Sequence, residues 1–447
     1  MIHELAHYDV YPRIVKAGTP TTVTIRPLGS DAAFTDGAVY TMQFLPLENS
    51  REPLHDYDLR TAAPDGDGCL RVNYEFPGEQ EYYLRLFRPG DVHMDESALD
   101  RRYSPARAYT YHLYALEPDL YGRRPYRGDF HAHSTRSDGC ETPAFVAANY
   151  RKYGFDFFSL TDHGRYRPSV ECAEAFAGKP VDLLIVRGEE VHAPENHVHA
   201  VNFGSRYSVN DIFNSDKDKY REEVKALSSE LRVPPGVNAF EYASCIWIFR
   251  EIRKAGGLAI FCHPHWLIDV YHVPDRMSEA LFASGEFDAF ELLGGQEVFS
   301  NNIQTAFYQE QRALGRKIPI VGSSDSHCSE LLDSARSYWF TWLSTLVFSS
   351  GLDTGGIMDA VKNHFSVAVE KYPGETEPRV YGSYRAVKYA KFLLKYYFPM
   401  HDELCFEEGR LMKDLLLGSE TAEKILALMK GRTAALLEHC WGEIASP

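Results

Sequence analysis

Apolar and polar residues alternate along the first 120 positions, and the alternation stops near position 129. Short alternating runs at 21–26, 39–44, 70–74, 82–86 and 109–114 are separated by Gly, Pro and Asp clusters, among them 64–68. Successive strand side chains point to opposite faces, so each run predicts a strand with one buried face. Short strands at this spacing predict an antiparallel β-sandwich, immunoglobulin-like, over residues 1–120. Such a module can bind a ligand, mediate dimerisation or shield a neighbouring domain, and shielding is the default expectation. The stretch 118–128, rich in Arg, Tyr and Pro, reads as a linker, with 121–128 between the two domains.

From residue 129 the period changes to one of strands and helices in turn. Thr142-Pro143 predicts a helix start, Thr as N-cap and Pro in the first turn, and Gly154 predicts its end. A second helix is expected over 241–255 and a third over 303–314. Apolar runs at 181–186, 257–262, 287–292 and 318–322 read as buried strands. Alternating β and α units predict a parallel sheet. A polar segment at 205–240 interrupts the pattern and reads as an insertion with a helix over the barrel mouth, a candidate lid. Helical spacing at 386–397 and 422–429 predicts a helical extension over 371–447.

The chemistry gathers where apolar runs end. His131 and His133 share one face of an extended segment, with Asp138 five residues on. An H-x-H pair alone also fits ordinary surface or turn histidines. Four further clusters follow strand-like runs: Asp162-His163; Glu189-Glu190 with His192, continued by His197 and His199; His263 and His265; and Asp325 with His327. Polar residues at the ends of parallel strands collect at the mouth of a barrel. Five such mouths are hard to explain as a solvated surface.

In their order, His131-x-His133, Ser137-Asp138-Gly139, Thr161-Asp162-His163, Gly188-x-Glu190, the His199 segment, His263-Pro264 and Asp325-x-His327 resemble the polymerase and histidinol phosphatase (PHP) family of metal-dependent phosphoesterases. The resemblance covers roughly residues 124–370. It implies an α/β fold, a distorted TIM-like barrel of about seven β/α units over 129–370, with two or three divalent ions at its C-terminal face. By similarity one ion takes His131, His133, Glu190 and Asp325. A second shares Glu190 and adds His199 and His263. A third takes Asp138, His163 and His327. Histidine and carboxylate without a cysteine ligand suit zinc, manganese or iron. His192 and His265 are expected outside the ligand set, Asp162 is expected to orient a loop or a ring, and Cys262 and Cys328 to fill packing positions.

The resemblance implies an enzyme that hydrolyses a small phosphate ester, monoester or diester, with a metal-bridging hydroxide as nucleophile. Arg136 and Arg165 sit where they could clamp a phosphate, although exposed loop positions explain them equally. The Arg123, Arg124 and Arg127 group could face an anionic substrate or form structural ion pairs. Two other readings stand beside the first. One is a metal-dependent hydrolase of a non-phosphate ester, amide or carbamate, with Trp266, Tyr271 and the aromatic run 338–340 as an apolar surround. The other is a non-catalytic binding module stabilised by metal, which predicts eroded ligand positions.

Composition narrows the partners. A formal charge of −16 argues against a long nucleic-acid partner, because duplex binding needs a basic stripe. No opening stretch reads as a signal peptide and no run is long enough to span a bilayer, so a cytoplasmic enzyme away from membranes is expected. Eight cysteines without C-x-x-C pairs indicate neither a zinc finger nor a disulfide scaffold. A homo-oligomer is left open.

Overall fold

The computed structural model describes residues 7–48, 58–87, 89, 108–267, 269–295, 298–329 and 339–442. It is an α/β protein whose strands lie in four sheets. The chain divides into two compact units, Met1–Arg124 with Lys391–His401 and Gly431–Pro447, and Pro125–Ala390 with Asp402–Lys430. The C-terminal helices are thus split between the units. Among the described residues no helix is long and apolar enough to cross a membrane.

Among the described residues the first unit holds eight strands: β1 (Tyr8–Tyr11), β2 (Ile14–Lys16), β3 (Pro20–Pro27), β4 (Tyr40–Pro46), β5 (Asp58–Ala62), β6 (Leu70–Glu75), β7 (Gln80–Phe87) and β8 (Ala108–Leu116). They form a three-stranded sheet in the order β1-β3-β6 and a five-stranded one in the order β2-β8-β7-β4-β5. The alternation seen in the sequence is the alternation of burial. In β6, Leu70, Val72 and Tyr74 are buried while Arg71, Asn73 and Glu75 are exposed. Val23, Ile25, Leu70 and Val72 of one sheet share a core with Met42, Phe44, Leu84 and Leu113 of the other. The pairing is antiparallel except for β2, which runs parallel to β8.

The second unit carries β9 (Arg124–Asp129), β10 (Phe157–Ser159), β11 (Leu184–Val186), β12 (Gly188–Val191), β13 (Ala200–Phe203), β14 (Leu258–Phe261), β15 (Ala289–Leu293), β16 (Ile320–Gly322), β17 (Leu343–Ser349), β18 (Ser366–Glu370) and β19 (Arg379–Tyr381). One sheet has the order β11-β10-β9-β17-β18-β19, the other β12-β13-β14-β15-β16. The expected linker therefore contains β9, which opens the six-stranded sheet, and a short helix, Pro118–Tyr121.

The sheets are mixed, where the sequence predicts parallel pairing throughout. β9, β10 and β11 pair parallel, as do β14, β15 and β16. β12 and β13 are antiparallel, and so are β13 and β14. Only a short loop joins β12 to β13, with no crossover helix, and a connection that short returns the chain antiparallel. The sheets approach through side chains: Gly322 N–H donates to Thr345 Oγ1 at 2.9 Å, and Ser366 Oγ–H to the Ile320 carbonyl at 2.8 Å. Isolated parallel bridges join Ala132 to Ser326 and His163 to Glu190.

Helices at Pro143–Lys152, Ala239–Lys254 and Val298–Ala313 stand close to their sequence-predicted places. The expected single-helix insertion contains two, Val209–Ser215 and Lys217–Glu230. They pack on Ala239–Lys254: Tyr220 Oη lies 2.7 Å from Ser244 Oγ, and Trp247 Nε1–H donates to Glu223 at 2.9 Å. Val209, Phe213, Tyr220 and Val224 join the largest core of the unit.

Candidate metal centre

The motifs stand within or at the ends of strands. β9 runs into His131 and His133, β10 into Asp162 and His163, β12 carries Glu190, His199 precedes β13, His263 follows β14, and Asp325 and His327 follow β16. Two of these residues have left-handed backbones, His263 at φ 25° and Asp325 at φ 49°. Such conformations cost roughly 1–3 kcal/mol for a non-glycine residue and persist where the surroundings enforce them, commonly at functional sites. Two glycines make room for the loops. A Cβ on Gly295 would lie 1.6 Å from the Ser324 carbonyl oxygen, and one on Gly139 2.7 Å from the Ser134 backbone.

Three groups of atoms converge. In the first, His131 Nε2 lies 3.3 Å from Glu190 Oε2 and 3.4 Å from Asp325 Oδ1, and His133 Nε2 lies 3.5 Å and 2.9 Å from the same oxygens. In the second, His199 Nδ1 is 2.7 Å and His263 Nε2 3.3 Å from Glu190 Oε1. In the third, Asp138 reaches His163 Nε2 at 3.5 Å through Oδ1 and His327 Nε2 at 3.3 Å through Oδ2. Glu190 is thus shared, one oxygen towards each of the first two groups. All nine residues singled out as ligands in the sequence are brought together.

The donors fit a divalent ion. Ligand atoms about 2.0–2.2 Å from a tetrahedral ion lie roughly 3.3–3.6 Å from one another, which is the spacing most of these pairs show. His131 Nε2, Glu190 Oε2 and His199 Nδ1 are buried at ion-pair distances from one another or from neighbouring groups, yet none makes an aligned hydrogen bond among the described residues, an arrangement that leaves polar atoms costly unless something binds them.

The electrostatics follow from crowding acids and imidazoles in a dry site. Burial alone would raise the Glu190 carboxyl, yet His199, His131 and His163 hold it well below the usual carboxylate range. Asp325 and Asp138 are lowered in the same way, burial being outweighed by their histidine neighbours. Burial dominates His133 and His199, whose pKa values fall to about 4 and about 3. His163, beside Glu190 and Asp138, rises against its burial to about 10.

Supporting residues hold the loops. Asp162 accepts from Ser134 N–H at 2.8 Å, Ser134 Oγ–H at 2.8 Å, Ser137 N–H at 3.0 Å and Ser137 Oγ–H at 2.7 Å. It therefore braces the loop that carries Asp138 and touches no histidine ring. Glu189 is turned away from the centre, accepting from Ser208, Asn202, Asn210 and the Val209 N–H. His197 is 88% exposed at its side chain and pairs with Glu241, while His199 points inward. His265 lies 3.4 Å from Asp275. His192 lies against the centre, its Nε2 2.9 Å from His163 Nδ1.

The arginines lie at the surface or pair with carboxylates and rings. Arg136 makes a two-pronged ion pair with Glu171, at 2.9 and 2.5 Å, at the surface. Arg165 is exposed. Arg127 pairs with Asp402 at 3.0 Å, and Arg124 lies over the Trp441 ring at 4.6 Å, so both have structural partners. Tyr338 and the Trp339 side chain lie outside the described residues, and Phe340 is buried in a core with Tyr150.

Three features escape sequence reasoning. Glu291, read only as a strand residue, lies with Oε2 3.0 Å from His131 Nδ1. His272 stands beside His199 and His263. Cys328, expected as packing, is joined to Cys140 by a disulfide across 188 residues, which corrects that expectation. Cys262 is buried and outside any disulfide.

No protein-family model and no curated protein matches the sequence. Among solved structures the chain is similar to a two-domain protein containing a predicted PHP-like metal-dependent phosphoesterase from Bacteroides vulgatus, at 19% identity and TM-score 0.38 over 55% of this chain and 65% of that one. The chain thus spans just under two thirds of that protein. It is similar also to a proposed metal-dependent phosphoesterase from Bifidobacterium adolescentis, at 18% identity and TM-score 0.33 over 47% of this chain and 91% of that one. A third is an amidohydrolase from Chromobacterium violaceum with bound sulfate and no metal, at 18% identity and TM-score 0.32 over 45% of this chain and 87% of that one.

Proposed function

We propose that the chain is a metal-dependent hydrolase of a small phosphate ester, with three divalent ions held by the three groups of side chains described above. The reading also takes the strands of the second unit as a distorted PHP-type barrel and the two sheets of the first as a sandwich of immunoglobulin type. The observation that carries it is Glu190, a fully buried carboxylate with Oε2 facing His131, His133 and His163 and Oε1 facing His199 and His263. A lone structural ion needs one cluster, and a solvated surface needs none.

Divalent ions held by these residues would supply an activated water at neutral pH and neutralise charge on a phosphoryl group. The chain's own residues do the rest. His131, His133 and Asp325 fix the first position, His199 and His263 the second, and Asp138, His163 and His327 the third, with Glu190 shared. Glu291 holds the His131 ring through Nδ1, and Asp162 fixes the loop of Asp138. Such outer partners set ring orientation and ligand basicity. No arginine clamp is part of the proposal, because Arg136 is committed to Glu171.

That commitment favours a second reading, hydrolysis of a non-phosphate ester, amide or carbamate, for which Trp266 beside His263 and Tyr271 beside His265 offer an apolar wall. Hydrolysis of a generic phosphomonoester, a phosphodiester and a carboxylic ester after manganese or zinc loading separates the readings. The proposal expects phosphate-ester turnover that His131→Ala and Asp325→Ala abolish. Turnover of the carboxylic ester alone moves the assignment to the second reading, and loaded protein inert towards all three leaves a binding module.

A further inference from the structure

The loop after β14 folds back on itself. Trp266 N–H donates to the His263 carbonyl at 3.1 Å, His272 N–H to the Trp266 carbonyl at 2.8 Å, and Val273 N–H to the Pro264 carbonyl at 2.9 Å. Leu267 and Tyr271 form an isolated antiparallel bridge across the turn. The return leg brings His272 alongside the residue from which the loop departed. Its ring centroid lies 5.3 Å from that of His263 and 4.3 Å from that of His199. One ring nitrogen of each of His199, His263 and His272 lies within 4.8 Å of the other two.

The His272 ring is held on two sides. Trp266 stacks on it, centroids 5.5 Å apart and planes 22° from parallel, and Nε2 contacts the His197 carbonyl. A carbonyl can only accept, so Nε2 carries the proton and Nδ1 the lone pair. A histidine that donates one nitrogen to a carbonyl and keeps the other as a lone pair is prepared in the way metal-bound histidines are. Stacking on Trp266 would explain the buried ring face, but not the meeting of three imidazoles beside a shared carboxylate.

We propose that His272 is a fourth protein ligand to the divalent ion held by Glu190, His199 and His263, an inference that rests on the metal-centre reading above. Three imidazoles and one carboxylate then make the second position the most nitrogen-rich of the three. The first has two imidazoles and two carboxylates. Imidazole-rich, tetrahedral sets suit zinc, whereas carboxylate and water suit manganese, so the positions differ in metal preference, with zinc drawn to the second.

The test uses the full chain, stripped of metal and titrated with zinc against a chromophoric chelator, with metal content measured in parallel and X-ray absorption counting imidazole ligands. The expected result is that His272→Gln weakens one zinc site at least about tenfold and leaves the others unchanged, with fewer imidazoles per zinc. His272→Cys, which returns a ligand without the ring, recovers that affinity. His197→Gln, at the exposed neighbour, changes nothing. Wild-type zinc uptake with His272→Gln unaffected overturns the assignment and leaves the metal centre standing. Weakening that His272→Cys does not reverse also overturns it, because the ring then acts by packing. A wild-type chain that takes up no zinc overturns both the assignment and the reading beneath it.

Discussion

Nδ1 of His131 lies 3.0 Å from Oε2 of Glu291, and both side chains are fully buried. The carboxylate fixes which way the ring faces and presents Nε2 to Glu190 and Asp325. Glu291→Gln keeps the shape and loses the charge, and should lower metal affinity at the first position about 10–100-fold, the usual effect of losing such a partner. Chelator competition on wild type and variant measures it. Equal affinities would show that the pair serves packing alone.

Arg151 is fully buried, with Asp156 3.3 Å from Nη1 and Glu408 2.7 Å from Nη2. Removing one partner of a buried ion pair strands the other, at a cost of about 3–5 kcal/mol. Arg151→Ala should therefore lower the thermal midpoint sharply. Arg151→Met with Asp156→Asn and Glu408→Gln, which removes all three charges, should cost much less. Denaturant unfolding of both variants compares them, and equal losses would contradict a charge-based cost.

Asp9 carries a pH signature in the first unit. Burial raises its carboxyl, but His439 at 3.1 Å and Arg26 at 2.8 Å outweigh it, and the net shift is below the ordinary 3.8. A carboxylate lowered on folding stabilises the native state above its unfolded pKa, and that contribution fades as pH falls through the folded value. The stability gap between wild type and Asp9→Asn should thus shrink as pH falls below the ordinary 3.8. Unfolding curves at a series of pH values test the window, and a gap that widens on acidification would contradict it.

Cys140 and Cys328 tie the loop of Asp138 to the loop of His327, which also meet through Cys140 N–H donating to the His327 carbonyl at 2.7 Å. Peptide mapping without reductant should recover one cross-linked pair. A dithiol reductant should lower the melting point by the equivalent of about 2–4 kcal/mol. Two free thiols at these positions in unreduced protein would contradict the link.

The site was more legible than the fold that carries it. His131, His133, Glu190, Asp325 and the rest announce themselves by short spacing at the ends of apolar runs, and local spacing is what a sequence displays. Glu291 hides in a buried strand, where its neighbours Phe290 and Leu292 make it look incidental. His272 stands in a loop without a motif, and only the fold-back brings it to His263. The Cys140–Cys328 link joins positions 188 residues apart, beyond any local pattern. Strand direction at β12 and β13 is not legible in the sequence, because direction depends on the loop between strands, not on their composition. β17 and β18 are buried throughout, so they show no period-two pattern to mark them as strands.

The central claim is that Glu190 joins two ion positions and Asp138 anchors a third. Crystals of the manganese- or zinc-loaded chain, with diffraction collected at the metal edge, locate the ions directly. The account predicts three anomalous peaks, one beside each Glu190 oxygen and one between Asp138, His163 and His327. A loaded crystal with no peak at Glu190 would contradict it.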